Sequence, residues 1–210
     1  LLLDPYFSAT KLAWLLDHIP SGRERAAAGE ICFGTIDSWF LWKLTNGRVH
    51  ATEPSNASRT LLFNIHDQAY DPVLLDLFGI PAEVLPKVQD SNACHGQLDP
   101  KWVGAEIPIM AMLGDQQASL FAHGGWRTGI VKNTYGTGLF LMAATGNEVP
   151  DSGKLINTVA WRRDGQTTYA IEGSVFIGGA AVQWLRDGLG IIKDASEMES
   201  LALTLQSNDD

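Results

Sequence analysis

An α/β fold is expected, because helical stripes and short apolar segments alternate through the first half of the chain and give way to closely spaced strands in the second. Residues 107–113 form a continuous apolar stretch that runs straight into Gly114-Asp115-Gln116-Gln117 and a helical pattern through Phe121, a strand, turn and helix in succession. Beyond residue 124 the strands expected at 129–133, 139–144, 155–161 and 167–172 are separated by glycine-containing turns, so a domain boundary is placed there.

The first helix is expected at 9–18, capped by Ser8, with Leu12, Leu15 and Leu16 on one stripe and Ile19-Pro20-Ser21-Gly22 as its stop. An Ala-rich helix at 23–28 ends at Gly29, and Asp37 is a candidate cap for a helix over 38–43. Asn46-Gly47 reads as a turn and 59–64 as a strand. Asp71-Pro72 opens a helix whose Leu74, Leu75, Leu77 and Phe78 face a core before Gly79. Further helices are expected after Gly178-Gly179, with Val182, Leu185 and Leu189 on one face, and over about 196–205.

Of the 210 residues, 45% are hydrophobic and 19% charged, enough apolar material for one large domain or two modest ones. A net charge of -9 with 15 scattered Lys and Arg argues against a nucleic-acid or anionic-membrane surface. Two cysteines, Cys32 and Cys94, suit a reducing cytoplasm better than a disulfide framework, and the five histidines have no metal-binding spacing. No apolar stretch is long enough to span a membrane, and Leu1-Leu2-Leu3 lacks the basic flank of a signal peptide. With no initiating Met, and with Asn208-Asp209-Asp210 directly after a helical pattern, the chain is expected to be a segment cut at both ends.

Asp115 stands where the 107–113 stretch ends, at the carboxyl end of a strand, where open α/β sheets bind ligands; a carboxylate there could take a proton from a substrate hydroxyl. It could equally cap a helix beginning at Gln116. Asn133-Thr134-Tyr135-Gly136-Thr137-Gly138 has glycines that could let backbone N–H groups approach phosphate, or could simply turn a hairpin. Gly178-Gly179 could admit a flat ring or a phosphate, with Gln183 one turn on, or could serve close helix packing. Tyr6 and Phe140 could wall a small polyol or belong to a core. Arg59 and Lys132 are single charges for which a solvated or paired face is the simpler reading.

Six ordered blocks resemble the FGGY carbohydrate kinases, in particular those that act on glycerol: residues 4–11, 34–39, 56–60, 114–118, 133–138 and 172–176. The resemblance runs almost end to end. It implies an actin-like ATPase, ribonuclease H-like two-domain kinase fold, with 1–123 as the rear of the first domain and 124–210 as the front of the second, nucleotide-binding one. By the same resemblance Asp115 is the catalytic base, Tyr6, Gln116 and Phe140 are acceptor contacts, and Thr137, Gly138, Gly179 and Gln183 belong to the nucleotide pocket.

The implied reaction transfers a phosphoryl group from ATP, with Mg2+, to the terminal hydroxyl of glycerol. Another acceptor such as xylulose or gluconate, or an inactive scaffold, stays open, as does a homo-oligomer of the full-length enzyme. In the family a phosphate hairpin with its Mg-linked Asp, and an Arg-Glu pair that grips glycerol, precede the matching region, so the segment alone is expected to be inactive. Lys101-Trp102-Val103-Gly104-Ala105-Glu106 stands where regulated members carry a Gly-Gly-Thr-Arg loop for fructose bisphosphate, so the resemblance does not extend to inhibition by that sugar.

Overall fold

The computed structural model describes residues 4–207; the terminal triplets Leu1-Leu2-Leu3 and Asn208-Asp209-Asp210 lie outside them. Three helices open the chain, α1 (Ala9–His18), α2 (Gly22–Ala27) and α3 (Ile36–Leu44). Ser8 holds the cap position of α1 but its hydroxyl caps nothing and is buried without a partner. Leu12 and Leu16 are buried, while Leu15 turns outward, because the stripe that meets the core is narrower than the apolar run. Thr35, not Asp37, is the N-cap residue of α3. Asp37 lies in the first turn, where its carboxylate accepts from the hydroxyls of Thr35 and Thr52.

Four short elements follow: β1 (Ala51–Thr52), α4 (Pro54–Ala57), β2 (Phe63–Asn64) and β3 (Ala69–Tyr70). The strand expected over 59–64 shrinks to β2, because Asn56 and Ala57 carbonyls accept from the Arg59 and Thr60 N–H groups and keep the chain turning after α4. Helix α5 (Pro72–Phe78) forms as its signals require: the Asp71 carboxylate accepts from Val73 and Leu74 N–H, Pro72 opens the first turn, and Gly79 at φ 59° ends it. Leu74, Leu75 and Phe78 pack on the first core, whereas Leu77 is solvent-facing.

Strand β4 (Lys87–Val88) pairs in parallel with β1. The stretch 107–113 is extended without becoming a ladder strand: its backbone bonds reach back to 91–98, through His95 N to Ile109 O, Ile109 N to Gly96 O and Met112 N to Ser91 O, with one isolated bridge between Gln97 and Pro108. Apolar continuity shows that a segment is extended and sheltered; a ladder also needs a partner strand in register.

From 114 onward the order is α6 (Asp115–Ala122), β5 (Val131–Tyr135), β6 (Leu139–Gly146), β7 (Ile156–Arg163), β8 (Gln166–Val175), α7 (Gly179–Asp187) and α8 (Glu197–Ala202). The four strands make an antiparallel sheet in the order β5-β6-β8-β7. Leu120 of α6 packs on Met142, Ala144, Ala160, Trp161 and Ala170, so α6 lies on this sheet. A fully buried Leu of this kind contributes about 2 kcal/mol. A further cluster joins Ala57 and Phe63 to Val159 and Tyr169, tying the early helices to β7 and β8. No helix among the described residues is long and apolar enough to cross a membrane.

Candidate active site

Asp115 begins α6, and Gly114 holds the cap position before it. Its Oδ1 accepts the Gln116 N–H at 2.7 Å, so the capping alternative is half right, with the helix starting one residue earlier than expected. The carboxylate is exposed and lines a cleft of about 620 Å³ with Tyr6, Asp37, Asn56, Arg59 and Gln116. Tyr6 enters from the loop before α1, its N–H bonded to Asp4 Oδ1 at 2.7 Å, and the Arg59 guanidinium lies over its ring at 5.6 Å.

Two buried polar groups brace this cleft. Glu53 is fully buried and accepts from Ser55 N (3.0 Å), Asn56 N (2.8 Å), Asn56 Nδ2 (2.8 Å), Ser91 Oγ (2.7 Å) and the Ser55 hydroxyl. Burial pushes its carboxyl up, and these donors oppose the shift. Ser55 Oγ in turn accepts Gly114 N–H at 3.0 Å, so the turn that presents Asp115 hangs from the Glu53 hub. Lys132 of β5 is the second group: buried, it donates to the Gln116 side-chain oxygen and to Thr134 Oγ1 at 2.6 Å. Burial pulls its ammonium below the ordinary lysine range, and nearby Asp115 and Glu172 act in the opposite direction.

Arg59 is paired with Glu172 of β8, both largely buried. The paired reading therefore holds for Arg59, whereas Lys132 is neither solvated nor, among the described residues, ion-paired: it is buried and donates to two neutral oxygens. Lys132 had a legible signal, since alternation along Val131-Lys132-Asn133-Thr134 puts Lys132 and Thr134 on one face. Glu53 was missed altogether; its signal was an acidic residue directly before Pro54 and a Ser-Asn pair, the pattern of a capped first turn.

The second group of predicted residues lies together, apart from this cleft. Residues 136–138 turn the β5–β6 hairpin, as the simpler reading has it. The start of α7 docks on that turn through Gly178 N to Thr137 O (2.7 Å), Gly179 N to Gly136 O (2.8 Å) and Ala180 N to Thr137 O (3.2 Å). A Cβ on Gly179 would stand 2.7 Å from Gly136 O, and one on Gly138 2.9 Å from Val175 O, so close packing does require these glycines. Thr137, Gly179 and Gln183 remain exposed beside the N-terminus of α7. Phe140, on β6 opposite Thr134 and Ser174, is half-buried and is not among the residues lining the Asp115 cleft.

A family model described as the N-terminal domain of the FGGY family of carbohydrate kinases matches residues 1–122. The chain belongs to the FGGY carbohydrate kinases. It is 59% identical over 202 residues to a glycerol kinase of Alcanivorax borkumensis, a match that covers 96% of this chain and 41% of that protein. Among solved structures it resembles a Plasmodium falciparum glycerol kinase with ADP, with a TM-score of 0.89 and 32% identity, over 97% of this chain and 41% of the other. A xylulose kinase from Rhodospirillum rubrum shares the fold at a TM-score of 0.78 and 19% identity, over 96% and 41%. The chain thus spans about two fifths of the length of these FGGY kinases. The actin-like ATPase fold expected for the family is shared with these structures.

Proposed function

We propose that this chain is the part of an ATP-dependent glycerol kinase that carries the catalytic base, and that Asp115 is that base. The observation that carries the reading is Asp115 itself, an exposed carboxylate at the start of α6 in a cleft that Tyr6 and Gln116 also line. Glycerol would lie there with a terminal hydroxyl against Asp115. The carboxylate takes the hydroxyl proton as the oxygen forms its bond to the γ-phosphorus of ATP, the bond to the β,γ-bridging oxygen breaks, and sn-glycerol 3-phosphate and ADP result.

In this reading residues 1–123 form the rear of the acceptor domain and 124–210 the front of the nucleotide domain. Thr137, Gly138, Gly179 and Gln183 hold the nucleotide, and Phe140 joins the acceptor contacts when the cleft closes. Mg2+ supplies charge neutralisation on the phosphates. Among the described residues no group of three or more His, Cys, Asp or Glu side chains is placed to hold a metal, so no ligand is assigned to it in this segment. Cys32 and Cys94 are free and exposed, which fits a cytoplasmic enzyme.

The test is acceptor-dependent ADP release by the full-length gene product that carries these residues, with glycerol, xylulose and gluconate compared. Preference for glycerol supports the reading. Preference for a sugar would move the substrate while keeping the base, and release with none would favour a scaffold.

A further inference from the structure

We infer that Lys132 is a positioning residue: by donating to the side-chain oxygen of Gln116, it turns the Gln116 amide so that its NH2 group, not its oxygen, faces the acceptor cleft. The inference deepens the proposed function and rests on it. An ammonium carries only donors, so whichever end of an amide it meets must be the oxygen. Here the contact is made by a lysine that is 5% exposed, on a strand rather than a mobile loop. Its second partner, Thr134 Oγ1, lies 2.6 Å from the ammonium and 3.4 Å from the Gln116 oxygen, closing a small triangle.

The consequence is one of polarity. Asp115, which lines the cleft next to Gln116, accepts hydrogen bonds when ionised, so in the proposed reaction it engages the hydrogen of the reacting hydroxyl. A neighbouring acceptor oxygen would duplicate that role. An NH2 group complements it, because it can donate to the oxygen of an adjacent hydroxyl. Lys132 thereby selects acceptors with a second hydroxyl next to the reacting one, a vicinal diol. It does so from β5 to α6. The buried charge is kept tolerable by Glu172 and Asp115 nearby, the two anions that oppose its desolvation.

Two variants of the full-length gene product test this, with KM for glycerol and for ATP measured separately. Lys132→Met is expected to raise the glycerol KM by about 10- to 100-fold, the cost of losing a hydrogen bond to a charged group, with the ATP KM changed less than about 3-fold. Gln116→Glu keeps a partner for Lys132, and therefore folding, but offers the cleft only acceptor oxygens. It is expected to raise the glycerol KM by a similar factor, and it carries the test should Lys132→Met fail to fold. A glycerol KM left unchanged by Gln116→Glu, or glycerol and ATP KM values raised in proportion by Lys132→Met, would overturn the inference alone. Should the wild type use another polyol or sugar, the same comparison is read on that acceptor. No phosphoryl transfer by the wild type would overturn this inference and the proposed function together.

Discussion

At the scale of single residues, the cleft shows how position and chemistry separate. Asp115 is exposed and is reached by one backbone N–H, an arrangement that leaves a carboxylate oxygen free to take a proton. Asp115→Asn keeps the shape and removes the proposed base, so under the proposed function kcat of the full-length gene product should fall by roughly 10²- to 10⁴-fold, with folding by circular dichroism unchanged. A different carboxylate, Asp90, links stability to acid pH. Burial pushes the Asp90 carboxyl up, but the Gly165 N–H at 2.7 Å and the Arg162 guanidinium outweigh it and hold it below the ordinary value of 3.8. The folded state therefore binds this proton less tightly than the unfolded chain. The contribution of the tie is full above about pH 4 and is lost as pH falls through the lower folded value. Thermal unfolding across pH should show Asp90→Asn less stable than wild type at neutral pH, with the two curves converging as pH falls through the lowered folded value. Equal stability at neutral pH would remove Asp90 from this role.

At the scale of elements, legibility followed how local each signal was. Helix α5 could be read from Asp71, Pro72 and Gly79 because cap, first turn and stop all act within ten residues. The β-rich half was legible for the same reason, its short β-type segments separated by turns marked by Asp164-Gly165 and by the glycines at 136–138. Residues 59–64 and 107–113 were not, because apolar β-type residues specify an extended or buried path but not a partner in register. The junction of α7 with the β5–β6 turn makes the sharpest prediction at this scale. A methyl group on Gly179 would stand 2.7 Å from the Gly136 carbonyl oxygen. Gly179→Ala should lower stability by about 1–3 kcal/mol, read from the denaturation midpoint. It should also weaken nucleotide binding more than glycerol binding, whereas equal loss of both would argue against a nucleotide role for this junction.

At the scale of the whole molecule, the described chain leaves large apolar side chains outside, among them Ile36 at 70%, Trp39 at 55% and Phe40 at 54% exposure along α3. Its cleft is open, with Tyr6 53% exposed, so water would reach the Asp115 carboxylate freely. The 210 residues expressed alone should therefore release no ADP in the presence of glycerol and ATP and should bind a hydrophobic dye strongly. Glycerol-dependent ADP release by that chain would overturn the first expectation. By itself the sequence determined the α/β class, the cap and stop of α5, the four β-type segments of the second half and the six ordered blocks that mark the FGGY family, all of which depend on residues near one another along the chain. Only the tertiary structure decided that Arg59 meets Glu172 across 113 residues, that Lys132 reaches back 16 residues to Gln116, and that Glu53 braces the Asp115 turn through Ser55. Periodicity tells which face a side chain takes, but burial of a charge depends on which partner the fold carries to it, and no local pattern encodes that meeting.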